Sequence, residues 1–326
     1  MTLPRFLRPA LAAGLTLTLA GAVLAGPLPV EPVEITKTTK DYEVEAEYPR
    51  TGLAAIDNAI AGWVDETVDD FVKTAEDDFA SFAKDGGAAE WMRYGLNIDS
   101  ETARNDDAMF VAVLSQSIAT GGAHPNHFFA TFNFLRPDGW RVYLPEIFDT
   151  KGLKRISDLA IADLTRQLAG PDGMSDTDWI KDGAGPSWGN FADFVLLSDA
   201  LVLKFPPYQV AAYAAGDQEV EIPLSELAGL MRENWRAPAP SFDCGAARSA
   251  IEKAVCSDVA LARLDRNVAG AYGLKLKYAD DDAAREVIRG AQRAWLATRD
   301  AACAGGQTAC LTGVYEARVA ALKGSG

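Results

Sequence analysis

Hydrophobic and polar positions change their period several times along the chain. Tyr42, Val44, Ala46 and Tyr48 alternate with Glu43, Glu45 and Glu47, so a half-buried strand with one apolar and one charged face is predicted there. From Leu53 to Phe82 the spacing becomes helical, with Leu53, Ile56, Ile60, Trp63, Phe71 and Phe79 on the core-facing stripe. Strand patterning resumes at Met109–Ile118 and at Phe128–Phe134, where Phe128, Ala130, Phe132 and Phe134 share a face. Pro137-Asp138-Gly139 then turns the chain into a further strand, Trp140–Leu144. Gly152–Leu168 reads as helix, and Phe194–Leu197 with Leu201–Phe205 as a hairpin across Ser198-Asp199. Val220–Ile222 is expected to lead into a helix reaching Trp235. Strands and helices fall in separate runs without a βαβ repeat, which predicts an α+β fold with an antiparallel sheet.

Beyond residue 240 the pattern is helical throughout. Glu252–Val255 forms a short helical turn, and Ser257 or Asp258 can cap the next helix. The stripe Leu261, Leu264, Val268, Tyr272 and Leu276 follows. Asp280-Asp281-Asp282 interrupts it and places negative charge at the start of a helix carrying Ile288, Ala291, Trp295 and Ala302. A last helix, Cys310–Leu322, presents Val314, Arg318 and Leu322. A small all-α module of this size buries a modest core, so covalent crosslinks are physically sensible in it.

The amino terminus changes the picture of where the protein resides. Arg5 and Arg8 precede an apolar run from Ala10 to Leu24 that ends in Val23-Leu24-Ala25. That is the pattern of a secretory signal cleaved after Ala25, so residues 1–25 are expected to be removed and the mature protein to be periplasmic or secreted. The run is shorter than the ~20 residues a spanning helix needs, and no cysteine follows it to take a lipid anchor. No membrane span is expected in the mature protein. The four cysteines, Cys244, Cys256, Cys303 and Cys310, then read as two disulfides in the helical module. Three connectivities are possible. Cys303 and Cys310 flank Gly305-Gly306 and can bridge across a turn, which leaves Cys244 with Cys256.

Charge sharpens the division of the chain. The net charge is −15, yet residues 26–240 carry −19 while residues 241–326 carry +2. The break coincides with Ala237-Pro238-Ala239-Pro240, a short stiff linker. The expected organisation is a domain over 35–236, a linker over 237–240 and the helical module over 241–326. The acidity argues against a nucleic-acid partner and favours a cationic one.

The helical module carries a further signal. It reads Phe242-Asp243-Cys244, Ile251-Glu252-Lys253-Ala254-Val255-Cys256, Leu264-Asp265 and Tyr272. Then come Gln292-Arg293-Ala294-Trp295, Arg299-Asp300, Cys303, Cys310-Leu311 and Tyr315-Glu316-Ala317-Arg318. This ordered set resembles the lysozyme inhibitor LprI family of bacterial envelope proteins. The resemblance implies binding and inhibition of lysozyme, with Glu252, Asp265, Tyr272, Gln292, Trp295, Arg299, Asp300 and Arg318 as family-motif positions. Gln292, Trp295 and Arg299 share one helix face, and the residues themselves read as structural. Trp295 is expected in the core, and Arg299 is expected to pair with Asp265 or Glu252.

The preceding domain carries a second resemblance. Thr120-Gly121-Gly122-Ala123-His124 and the segment Phe205–Gly216, with Pro207, Tyr208 and Tyr213, are similar to the extracellular domain of RsiV-type anti-sigma factors. PdaC-type peptidoglycan deacetylases share that domain as an accessory unit. RsiV-type proteins are lysozyme receptors, so this resemblance also implies lysozyme; without a preceding anchor, direct anti-sigma signalling is not expected. Gly121, Gly122, His124, Pro207, Tyr208 and Tyr213 are the candidate binding residues, since exposed tyrosines beside glycines suit adaptable recognition. The competing assignment packs the tyrosines on the sheet and leaves the glycines to make turns.

Catalytic chemistry finds little support in the residues. His124 and His127 are the two histidines of the chain, at a spacing of three beside a proline. They make neither a helical metal pair nor part of a serine triad. No cofactor, no metal and no enzymatic activity are expected. Function is expected to be lysozyme binding and inhibition by an exported envelope protein, with peptidoglycan or glycan binding without inhibition as the alternative.

Overall fold

Two strands open the described chain, β1 (Glu31–Thr38) and β2 (Tyr42–Arg50), paired antiparallel from Glu31↔Arg50 to Thr38↔Glu43. They belong to a computed structural model that describes residues 26–84, 92–169, 177–237, 239–277, 279 and 281–323. The expected leader at 1–25, Pro238 of the linker and Asp280 of the acidic triplet lie outside the described residues. β2 follows the alternation of its sequence, with Tyr42, Val44 and Ala46 buried and Glu45 and Glu47 in solvent.

Helix α1 (Ala54–Lys84) follows, and Ile56, Ile60, Val64, Val68, Phe71, Ala75 and Phe79 form its buried stripe. The helix crosses the sheet and delivers β3 (Tyr94–Asn105) parallel to β2. This one β-α-β unit makes an otherwise antiparallel sheet mixed. The sheet continues with β4 (Met109–Ala119), β5 (Asn126–Leu135) and β6 (Trp140–Arg141) in the order β1-β2-β3-β4-β5-β6. One face, with Val44, Leu96, Ile98, Phe110, Phe132 and Phe134, packs on α1. At Met109, Val111, Val113 and Leu135 the opposite face packs on a second layer, so the start of β4 is buried on both sides.

That second layer holds α2 (Leu144–Ile147), α3 (Thr150–Gln167), α4 (Thr177–Ala184) and a three-stranded sheet. Its strands are β7 (Phe194–Leu196), β8 (Ala200–Phe205) and β9 (Gln218–Pro223), all antiparallel. Side chains join the layers where strand pairing does not. Buried Asn133 on β5 donates from Nδ2 to the Phe194 carbonyl at 2.7 Å and accepts from the Leu196 N–H at 2.8 Å. Thr131 accepts from the Phe194 N–H at 3.0 Å. These contacts satisfy β7 main-chain groups that would otherwise be buried without partners.

The sequence expectations hold for α1, β4, the β7–β8 hairpin and α3, and fail at several places. Trp140–Leu144 is not a full strand, because β6 stops at Arg141 and Leu144 begins a helical turn with Pro145 in its first positions. No helix runs from Ile222 to Trp235. A four-residue 3-10 turn at Leu224–Leu227 ends before Gly229, whose φ of +76° a right-handed helix does not admit. Phe128 is exposed although its pattern put it on the core face with Ala130, Phe132 and Phe134. β1, β3 and α4 were not anticipated.

The carboxy-terminal region is all helical: α5 (Ala250–Ser257), α6 (Val259–Lys277), α7 (Asp282–Ala302) and α8 (Thr308–Lys323). Asp258 is the cap chosen at α6, accepting from the N–H groups of Ala260 and Leu261, and Asp281 caps α7 through the Ala284 N–H. Disulfides join Cys244 to Cys256 and Cys303 to Cys310. α8 buries Leu311, Tyr315 and Leu322, so its core face is rotated from the expected Val314–Arg318 line.

Candidate functional site

The two loop segments singled out in the acidic region meet in space. The β4–β5 turn carries Gly121, at φ +79°, and Gly122, and presents His124. The β8–β9 connection presents Pro207, Tyr208 and Tyr213. His124 stacks on Tyr213 with ring centroids 3.5 Å apart, and its Nε2 hydrogen-bonds with the Tyr208 hydroxyl at 3.1 Å. Tyr208 and Tyr213 lie 5.7 Å apart, and His127 at the start of β5 adds a ring 6.2 Å from Tyr213. The outcome is a contiguous aromatic patch whose most exposed member is Tyr208.

The Tyr208 loop is held from beneath. Tyr208 itself sits at φ +72°, a strained region for a residue with a Cβ, and the neighbours that fix it there are specific. Trp179 donates from Nε1 to the Tyr208 carbonyl at 2.9 Å. Gln209 donates from Nε2 to the carbonyls of Gly183 and Asn190, both at 2.9 Å. Gly183 has no room for a side chain, since a Cβ there would lie 1.9 Å from the Gln209 carbonyl oxygen. Sequence reasoning reached the tyrosines and His124 but missed Trp179, Gln209 and Gly183, which carry no motif of their own.

In the helical region most of the motif positions form one connected network. Tyr315 is buried and donates to Asp265 Oδ1 at 3.2 Å, while its hydroxyl accepts from Arg299 Nη1 at 2.8 Å. Burial and the Asp265 carboxylate push the Tyr315 hydroxyl up to about 12, so it stays a donor. Asp265 also accepts from the Ser241 N–H at 2.6 Å, which fastens the start of this region to α6. Arg299 therefore reaches Asp265 through Tyr315, not by the direct pairing expected, because the phenol occupies the space between them. Glu252 is committed elsewhere, closing a capping box with Ser249 at the head of α5. Arg299 also pairs with Asp300, Arg318 donates to Gln292 at 2.8 Å, and Tyr272 packs at the edge of the helical core.

Trp295 is half-buried, where a core position was expected. It meets Tyr315 edge-on at 5.4 Å with the guanidinium groups of Arg299 and Arg318 over its ring at 5.5 and 5.7 Å. No residue of α7 is buried, and Val287 is 73% exposed, so this helix turns apolar surface to solvent.

The acidic and helical regions touch through a defined junction. Arg263 on α6 is buried and pairs with Asp138 at 2.9 Å, donates to the Arg236 carbonyl, and lies over the Trp140 ring at 5.6 Å. Trp140 packs against both hydrophobic cores. A hollow of about 640 Å³ opens beside this junction, lined among others by Glu146, Arg232, Trp235 and Arg266. Among the described residues no group of three or more His, Cys, Asp or Glu is placed to hold a metal ion. No described helix is long and apolar enough to cross a membrane.

Comparison with known proteins divides the chain in a similar way. A family model described as a protein of unknown function, DUF3298, matches residues 145–225. A second, described as Lysozyme inhibitor LprI, matches residues 244–322. The chain is 26% identical over 208 residues to the peptidoglycan-N-acetylmuramic acid deacetylase PdaC of Bacillus subtilis. That alignment takes in 63% of this chain and 42% of PdaC, so the chain spans less than half the length of that relative. Crystal structures of DUF3298-family proteins from Bacteroides fragilis and Pseudomonas aeruginosa superpose with TM-scores of 0.49 and 0.48 at 17% and 18% identity. Each covers 64% of this chain and 96% of the other. Residues 145–225 are thus similar to the DUF3298 family and residues 244–322, after them, to the family described as Lysozyme inhibitor LprI.

Proposed function

We propose that this is an exported protein of the bacterial envelope that binds lysozyme and inhibits it. The match of residues 244–322 to the LprI inhibitor family carries the reading. Two disulfides within that region agree with an oxidising compartment outside the cytoplasm. A signal-like amino terminus, with cleavage after Ala25, supplies the export step in this reading. The protein is read as two domains, 35–236 and 241–326, with 237–240 between them.

Each domain would have a distinct part in recognition. The net −19 of residues 26–240 would steer a cationic enzyme towards the protein, and the His124, Tyr208 and Tyr213 patch offers rigid aromatic contact area. The Asp265–Tyr315–Arg299 network is read as structural support for the helical module. The protein is read as a binder without catalytic activity; the similarity to PdaC extends over 42% of that enzyme. A turbidity assay tests the proposal: the purified mature protein should slow lysozyme clearing of a cell-wall suspension. Unchanged clearing at a large molar excess would overturn it.

A second reading, peptidoglycan binding without inhibition, draws on the similarity to a protein named for acting on peptidoglycan. Retention on insoluble peptidoglycan, with no complex between the protein and lysozyme on gel filtration, would favour it.

A further inference from the structure

A cleft of about 550 Å³ opens beside β5, on ground that neither the aromatic patch nor the helical region uses. It exists because β6 pairs with β5 only at Phe134 and Leu135, leaving Phe129–Thr131 at an uncovered sheet edge. Trp63 comes to it from α1, Arg141 and Tyr143 from the end of β6, and Trp188 and Asp193 from the 3-10 turn before β7 and the bend after it. The volume lies within the ~300–1,000 Å³ typical of small-molecule sites, and the lining is mostly apolar, with several aromatic rings and two charged groups, as such sites are.

The two charged groups are unusual in their surroundings. Arg141 stands over the Phe132 ring at 4.1 Å and donates to the Thr131 carbonyl at 2.9 Å, which uses one of its five N–H groups. It makes no ion pair with Asp193 within 4 Å, although each feels the other's charge. Burial holds the Arg141 guanidinium below its ordinary value and pushes the Asp193 carboxyl up to about 6. Arg141 keeps N–H groups beyond its bond to Thr131, Asp193 keeps acceptor capacity beyond its hydrogen bond with the Thr131 main chain, and both half-buried groups face one cleft, where water or a ligand can meet them.

We propose that this cleft binds a short neutral glycan of N-acetylated hexosamines. A pyranose ring has an apolar C–H face for Trp63, Trp188 and Tyr143, and a hydroxyl rim for the charged pair. An acetamido group adds a carbonyl that accepts from Arg141 and an N–H that donates to Asp193, with its methyl group on the aromatic lining. The balance of one cation and one acid suits an uncharged ligand, and the net −19 of the surrounding region disfavours an anionic one. This site is separate from lysozyme recognition, so either claim can fail alone.

Calorimetric titration of the whole mature protein with the trimer of N-acetylglucosamine tests the proposal, with cellotriose and a cell-wall stem peptide free of sugar run in parallel. The trimer should bind saturably, and cellotriose about tenfold more weakly, the equivalent of one good contact. Tyr143→Ala, which alters an exposed ring, and Trp188→Ala should each weaken the trimer by about tenfold or more, with Tyr208→Ala leaving its affinity unchanged. No saturable binding to the parent protein, equal affinity in the Tyr143 and Trp188 variants, or preference for the peptide would each overturn it.

Discussion

Asp193 illustrates what one buried carboxyl does to a fold. In the folded protein it keeps its proton up to about pH 6, chiefly through burial, whereas an exposed aspartic acid loses it near ~3.9. Between those values the folded state binds more protons than the unfolded chain, so stability falls as pH rises through that window. Above it the site carries a constant penalty of about 1–3 kcal/mol for a shift of this size. Asp193→Asn should remove the penalty: urea unfolding should show the variant more stable than the parent at pH 7, with the difference closing near pH 4. A difference that ignores pH would contradict that assignment. Residues of this kind were not visible in the sequence. Tyr208, Tyr213 and His124 stood out because they sit in glycine-rich loop segments. Trp63, Arg141 and the Trp188–Asp193 stretch come from three separate segments, and only the fold brings them to one cleft.

At the scale of elements, legibility followed burial. α1, β4 and the β7–β8 hairpin could be read because each turns a continuous apolar set to a core. β1 was missed because it is an edge strand with no fully buried residue, and β3 because its second half, from Asp99 onward, is largely solvated. The Trp235 segment misled because apolar residues in successive short turns can mimic helical spacing. α7 raises a different point. It spans 21 residues with none buried, while α6 and α8 supply Leu261, Leu264, Val268, Leu311 and Tyr315 to the core. The Trp295 Nε1–H on α7 is enclosed without an acceptor. Helices with few buried contacts open first, so the central amides of α7 should exchange with deuterium about tenfold or more faster than those of α6. Hydrogen-exchange mass spectrometry reads this directly, and equal protection of the two helices would contradict it.

The whole molecule separates charge from crosslinking. The acidic region is built on two large cores and described without a disulfide, while the near-neutral helical region holds both bridges and a small core. Arg263, Asp138 and Trp140 tie the two together through buried contacts, so a partner engaging one region meets the other in a set position. On the proposed function, this arrangement would combine long-range attraction from the acidic region with short-range contact. Titrating lysozyme with the full mature protein in a calorimeter, from about 50 to about 500 mM salt, measures both parts at once. A saturable complex is expected, with affinity that falls as salt rises and enzyme activity lost in step with binding. Absence of any complex at low salt would contradict lysozyme recognition by this protein.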